Sequence, residues 1–467
     1  MYSRFLSIRR LLVKRLVDEL NKTYPYAAVL GKHVTGKTIR VSTRTNQVGD
    51  TMERQCGFVA KIYNGKTYSE YSFSDITEEG FPKLLADIKE KTRLDDDILE
   101  NHVDLFPLVD EPLIKDFIRP VEDEEPSVET LINRLTAIKD AYHGKSKKVI
   151  QATAGFTMYE TSALFLSKNR ELTQNFTWMN VVGSVVVREG NNIKSARCIG
   201  AFNNFEKSFA KVEKEEGETV KLAEDLLRST LIKPGVYDII THPSITGLIA
   251  HEAFGHGVEM DMFVKNRAKS VHYLNKEVAS PLVEMHDGAC ATLSAASYFF
   301  DDDGVLAHDT TIIKDGILLT GISDEVSALQ LGSDPTGNGR RESYKRKAYT
   351  RMTNTFFCPG EDAVEEMIAS VKHGYMLFET DNGMEDPKNW NIQCVCSYGR
   401  EIKNGKFTGK IVAPVVMSGY VPDLLKSISM ISKDWEVIGS GHCGKGYKEW
   451  VCVSDGGPYL KARCKLS

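Results

Sequence analysis

The sequence predicts an α+β protein in two parts: an N-terminal mixed α/β region over residues 1–232 and a strand-rich C-terminal domain over 233–467. Three observations predict it. The chain's 467 residues exceed what one ordinary core accommodates. The composition changes at Lys233-Pro234-Gly235, a turn-forming string between a charged helical stretch and a β-branched run. Downstream of it, strand-like runs are divided by Asp315-Gly316 and Asn404-Gly405, both hairpin signals.

The first element is an amphipathic helix. Arg9, Arg10, Lys14 and Arg15 punctuate Leu11, Leu12, Val13, Leu16, Val17 and Leu20. A solvated basic face explains this better than a membrane or nucleic-acid contact. Residues 26–30 and 38–44 are expected strands. Residues 57–63 and 66–73 flank Asn64-Gly65, a hairpin turn. Helical spacing runs over 77–94 through Phe81, Leu84, Leu85 and Ile88. Residues 95–126 are acidic and proline-bearing, a long connection that divides the N-terminal region into lobes over 1–94 and 127–232. Ser127 opens a helix through Leu131, Leu135 and Ile138, ended by Gly144. Strands follow over 149–202, with Glu189-Gly190 as a turn, then a charged helix over about 209–230. In the C-terminal domain, 236–241 is a short buried strand. Pro243 starts a helix, a favoured place because its missing N–H is not needed there. With helices at 362–372 and 423–431, the pattern suits a mixed sheet or open barrel with peripheral helices.

Composition sets limits. Hydrophobic content of 42% and charged content of 26% are those of a soluble globular protein. A net charge of -5 gives no global reason to expect nucleic acid. No run of about 20 apolar residues is present, so no membrane span is expected. The start lacks an apolar signal core and a small-residue cleavage site. Nine cysteines are too sparse for a disulfide scaffold, which makes a reducing cytoplasm the expected compartment. Cys394 and Cys396 share one side of an apparent strand and read as core thiols.

The most informative segment is HEAFGHGVEMD, residues 251–261. It sets the imidazoles of His251 and His256 beside the carboxylate of Glu252, the groups needed to hold zinc and to take a proton from water. Two such histidines can also be buried and hydrogen-bonded, or sit at a helix end. The spacing is unusual. Zinc-binding helices of the common type have their histidines four apart on one face; here they are five apart. At about 100° per residue, five steps leave them about 140° apart. Both reach one metal only if the helix bulges or unwinds between them, which Gly255 and Gly257 make cheap. Further on, residues 335–344 form a glycine-rich loop running into Arg340 and Arg341; it lacks the ending of a phosphate loop. Asp301, Asp302 and Asp303 precede Gly304 without the ligand series of a calcium loop, and read as a polar turn.

Five strings stand in order: HEAFGHGVEMD (251–261), DDDG (301–304), PTGNGRRESY (335–344), RMTNT (351–355) and HCGK (442–445). In these the chain resembles the TldD/PmbA family of metallopeptidases, on the TldD side. The N-terminal half agrees in layout and around 68–76, more weakly. PmbA-like members lack the His-Glu…His motif, which this chain retains. The resemblance implies zinc-dependent cleavage of peptides or unfolded protein segments, with His251, His256 and Cys443 as zinc ligands. It also implies a homodimer, or a heterodimer with a metal-free relative. The ligand set is chemically coherent, because zinc accepts imidazole nitrogen and thiolate sulfur and keeps a fourth position open in catalytic sites. Apart from the resemblance, Cys443 reads as a buried thiol. Glu259 and Asp261 are rival oxygen ligands, or partners that hydrogen-bond a ligand. His442 adjoins Cys443, but neighbours in an extended chain point apart. Glu252 is the expected general base. Arg340 or Arg341 is expected to stabilise negative charge or bind substrate, unless it forms a salt bridge to Glu342 or an acidic loop. The alternative from another class is a non-catalytic peptide-binding or assembly subunit, against which the intact His251, Glu252 and His256 speak.

Overall fold

The computed structural model describes residues 2–92, 106, 110–446 and 448–467. Eight strands form the N-terminal sheet: β1 (Tyr26–Ser42), β2 (Asn46–Asp50), β3 (Gln55–Tyr63), β4 (Tyr68–Phe73), β5 (Leu113–Ile118), β6 (Val149–Leu166), β7 (Arg170–Glu189) and β8 (Asn192–Phe202). Their order is β4-β3-β1-β6-β7-β5, with β2 on β1 and β8 on β7. The β1–β6 ladder runs from Val29↔Leu166 to Ser42↔Thr153 and joins two apolar cores. One lies under α1 (Arg4–Asn21) and α2 (Phe81–Lys91), where Leu6, Val13 and Leu16 meet Phe58 and Leu164. The other lies under α3 (Val128–Lys145), α4 (Phe205–Lys214) and α5 (Glu216–Leu226), where Leu135 and Ile138 meet Phe156, Phe205 and Phe209. Burial of each such side chain contributes roughly 1.5–3 kcal/mol, so both groups of helices are held to one sheet. The basic face of α1 is occupied by ion pairs, Arg10 and Lys14 with Glu171 and Arg15 with Glu78.

Three expectations are corrected here. The strands expected at 26–30 and 38–44 are one strand, β1. The polar residues between them obscured it, and Gly36 is there because a Cβ would lie 2.0 Å from the Met158 carbonyl on β6. The connection 95–126 falls partly outside the described residues, but β5 lies within it and pairs in parallel with β7. Pro112 and Pro120 bound this strand instead of interrupting it. The charged helix expected over 209–230 starts earlier, with Asn204 capping Lys207, and breaks at Glu215 into α4 and α5.

The C-terminal domain holds β9 (Gly235–Thr241), β10 (Met285–Asp287), β11 (Thr310–Lys314), β12 (Ile317–Leu318), β13 (Gly339–Arg340), β14 (Tyr349–Thr350), β15 (Asn354–Phe357), β16 (His373–Asp386), β17 (Asn391–Lys403), β18 (Lys406–Val412), β19 (Val415–Tyr420), β20 (Met430–Lys445) and β21 (Lys448–Leu466). All but β13 and β14 belong to one mixed sheet. β9 pairs in parallel with β16 and antiparallel with β21, and β21 also pairs with β19. The path β9-β16-β17-β19-β21 therefore closes on itself. The sequence suggested a mixed sheet or open barrel; the sheet is mixed, and its path is closed. Closure is possible because β21 is long enough to serve β20 and β15 with one half and β9 and β19 with the other. The helix that follows β9, α6 (Pro243–Leu248), packs Ile245 and Leu248 into the core of this sheet.

The two parts of the chain meet through buried polar groups. Lys32 pairs with Asp302 at 2.7 Å, and Lys61 with Asp303 at 2.8 Å and Glu325 at 3.2 Å. Asp301 accepts hydrogen bonds from the N–H groups of Asp303, Val305 and Gly339. The aspartate triplet is thus a turn, as its composition suggests, but a buried one that ties the N-terminal sheet to the C-terminal domain.

Candidate metal centre

The segment bearing the histidines starts at His242, whose Nδ1 accepts from the Ser244 N–H at 3.3 Å and caps α6. After Leu248 the helix widens. Ile249–Gly255 is a π-helix, and the His256 N–H donates to the His251 carbonyl, five residues back. A wider turn brings residues five apart onto one face. The two imidazole centroids are 5.2 Å apart, with ring planes at 86°. The expected bulge is present, but glycine plays a different part in it. Gly255 has ordinary helical angles (φ -59°, ψ -50°). Its missing side chain makes room: a Cβ there would lie 2.1 Å from Met352 Sδ.

The strand β20 brings Cys443 to the same place, with Sγ 3.3 Å from His256 Nε2. One donor atom from each of His251, His256 and Cys443 lies within 4.8 Å of the others. Burial pushes the Cys443 thiol up, but the charges and hydrogen bonds of His251 and His256 outweigh it and bring the thiol down to about 4. Burial lowers His251 in turn, while Cys443 carries it up to about 9. The cluster therefore favours a thiolate facing two imidazoles. Arg351 secures the thiolate from behind. It is almost fully buried, and its Nη2 donates to Cys443 Sγ at 3.0 Å and to the Cys443 carbonyl at 2.9 Å.

Carboxylates stand around the cluster. Glu252 Oε2 lies 3.9 Å from His256 Nε2. Burial raises its proton affinity, against the pull of both imidazoles. Glu259 Oε2 lies 3.5 Å from His256 Nδ1, on the ring edge away from Cys443. Burial would raise the Glu259 carboxyl; Lys445, His256 and Arg351 together hold it well below the usual range. Lys445 Nζ bridges Glu259 at 2.9 Å and Asp261 at 2.7 Å. Asp261 reaches the histidines only through this lysine.

Sequence reasoning missed Arg351 and Lys445, although both lie in strings it singled out; a lone basic residue carries no spacing signal. It also missed Glu385 on β16. Burial keeps that carboxyl well above its usual range, opposed by His256 and reinforced by Glu252.

The paired arginines have other partners. Arg341 is buried and clasps Glu70 with two bonds of 3.1 Å. Arg340 donates to the carbonyls of Met352 and Cys452, at 2.6 and 2.7 Å. Neither pairs with Glu342; their donors brace the chain around the centre. Arg340 also lines a cavity of about 540 Å³, with Lys32, Tyr159, Phe176 and His442. His442 does point away from Cys443, to Glu53 at 3.1 Å.

Residues 234–463 match the model of the PmbA/TldA metallopeptidase C-terminal domain. A metalloprotease of Methanothermobacter thermautotrophicus is 29% identical over 76% of this chain and 77% of its own length. A zinc metalloprotease TldD homolog of Saccharolobus solfataricus is 28% identical over 64% of this chain and 67% of its own. The crystal structure of TldE from Thermococcus kodakarensis shares the fold, with a TM-score of 0.72 over 97% of this chain and 99% of that one at 16% identity. The C-terminal domain is that of the PmbA/TldA metallopeptidases. By its C-terminal domain, residues 234–463, the chain groups with the TldD/PmbA family. Among the described residues no helix is long and apolar enough to cross a membrane.

Proposed function

We propose that the protein is a zinc-dependent peptidase that hydrolyses peptide bonds in extended peptides or unfolded protein segments. The observation that carries this reading is the convergence of the His251 and His256 rings and the Cys443 thiol beside the half-buried carboxylate of Glu252. The donor set fits zinc in kind and number. A buried ring nitrogen, His251 Nδ1, also lacks a hydrogen-bond partner in the protein. His251, His256 and Cys443 would hold the ion, which when bound supplies Lewis acidity toward water and the peptide carbonyl. Glu252 takes the proton from the attacking water and hands it to the leaving amine. Glu259, fixed by Lys445, orients the His256 ring through Nδ1. Arg351 holds the thiolate in place.

The zinc in the name of the Saccharolobus relative supports this choice of metal. The resemblance carried by the five sequence strings extends the proposal to assembly as a homodimer, or as a heterodimer with a metal-free relative. A reducing cytoplasm suits the Cys443 thiolate. The test is elemental analysis and X-ray absorption on the purified protein, alongside peptide cleavage with and without chelator. One zinc per centre with two nitrogen ligands and one sulfur, and cleavage lost on chelation and restored by zinc, is the expected outcome. A protein that purifies and functions without metal there would be a peptide-binding or assembly subunit instead.

A further inference from the structure

A second group of donors stands apart from His251, His256 and Cys443. Glu284 precedes β10 by one residue, His286 lies within it, and Cys358 follows β15. The two strands are antiparallel, with Met285 opposite Phe357 and His286 opposite Phe356. The Cys358 N–H donates to the Glu284 carbonyl at 2.9 Å, which continues the register and sets Cys358 across from Glu284. Side chains two apart on a strand share a face, and so do directly opposed residues. All three therefore project from one face, and one donor atom from each lies within 4.8 Å of the others.

The histidine is oriented as a ligand is. Its Nδ1 is 2.7 Å from Asp309 Oδ1, and its Nε2 is 3.0 Å from Glu284 Oε1. A carboxylate on one ring nitrogen fixes the tautomer and turns the other toward the metal in carboxylate–histidine–zinc arrangements. The Phe356 ring lies 5.8 Å from the imidazole at 16° and limits its rotation. Glu284, His286 and Cys358 are each half-buried, so a fourth position is open to solvent. Thiolate with imidazole selects zinc or a similar borderline cation over magnesium or calcium.

We propose that Glu284, His286 and Cys358 form a second zinc site, with Asp309 as the partner that holds His286. The bound ion clips β10 to β15, beside Asp287, whose buried carboxylate accepts from Asn338, Thr353 and Thr355. The proposal does not depend on metal at Cys443.

The test is zinc stoichiometry by elemental analysis after dialysis against zinc, and cobalt substitution read by the thiolate-to-cobalt charge-transfer band. His286→Ala is expected to lower the zinc content of the full-length protein by one equivalent per chain. In a Cys443→Ala background the cobalt band is expected to persist, and to vanish when Cys358→Ser is added. Zinc content unchanged by His286→Ala, or no cobalt–thiolate band in Cys443→Ala, would show that these residues form only an ion-pair network.

Discussion

Glu252 and Cys443 have different parts in the proposed reaction, and substitution separates them. Glu252→Gln keeps the size and burial of the side chain but cannot accept the proton. Zinc content and peptide affinity should hold while turnover falls by about 10²–10⁴-fold or more. Loss of zinc from that variant would make Glu252 a ligand and overturn the mechanism; full activity would move the base to Glu259 or Glu385. His256→Ala and Cys443→Ala should lose metal and activity together, because each removes a donor. Arg351→Ala tests the support behind the thiolate. It leaves Cys443 and Glu259 short of a buried cation, so melting temperature and zinc affinity should both fall, with zinc competition against a chelator as the readout.

The π-helix turns an awkward sequence spacing into a working one. The sequence made the problem legible, since five-residue spacing cannot serve one metal from a regular α-helix. It did not make the solution legible, because the contact that reserves Gly255 comes from Met352, nearly a hundred residues away. The same division holds for the fold. Local signals located α3, the β3–β4 hairpin and the turn after β11, whereas β5 and the closing pairs of β21 depend on partners that no local pattern names. Gly255→Ala should cost about 1–3 kcal/mol by overpacking, with partial recovery in Gly255→Ala/Met352→Ala, measured by denaturant unfolding. The start of the motif helix is sensitive to acid. Burial lowers His242 to about 4, and its neutral Nδ1 is the acceptor that caps α6. The folded pKa lies below the unfolded value of about 6.5, so the unfolded chain binds the extra proton between these values. Stability present above pH 6.5 is lost as pH falls toward 4, by on the order of 2–3 kcal/mol. His242→Asn keeps a capping acceptor without a titrating group and should flatten this part of the stability profile; an unchanged profile would assign the acid sensitivity elsewhere.

Across the molecule, Lys61 is the contact most exposed to test. It reaches from the N-terminal sheet into a site where Asp303 and Glu325 have no other cation at salt-bridge distance among the described residues. Removing one partner of a buried pair costs about 3–5 kcal/mol, because the remaining charges stay buried. Lys61→Met should lower the melting temperature and split the calorimetric transition as the two parts uncouple. A single transition at the original temperature would show that apolar contacts alone join them.

The order in which the donors are made has a consequence for biosynthesis. His256 precedes Cys443 by 187 residues. The thiol comes into place only when β20 has paired with β21, and β21 in turn must find β9, which left the ribosome long before. A nascent chain therefore carries both histidines and the glutamate without a complete ligand set. In the proposed peptidase, hydrolytic capacity would be withheld through most of translation, and a product truncated before β20 would be inert however well its first sheet folds.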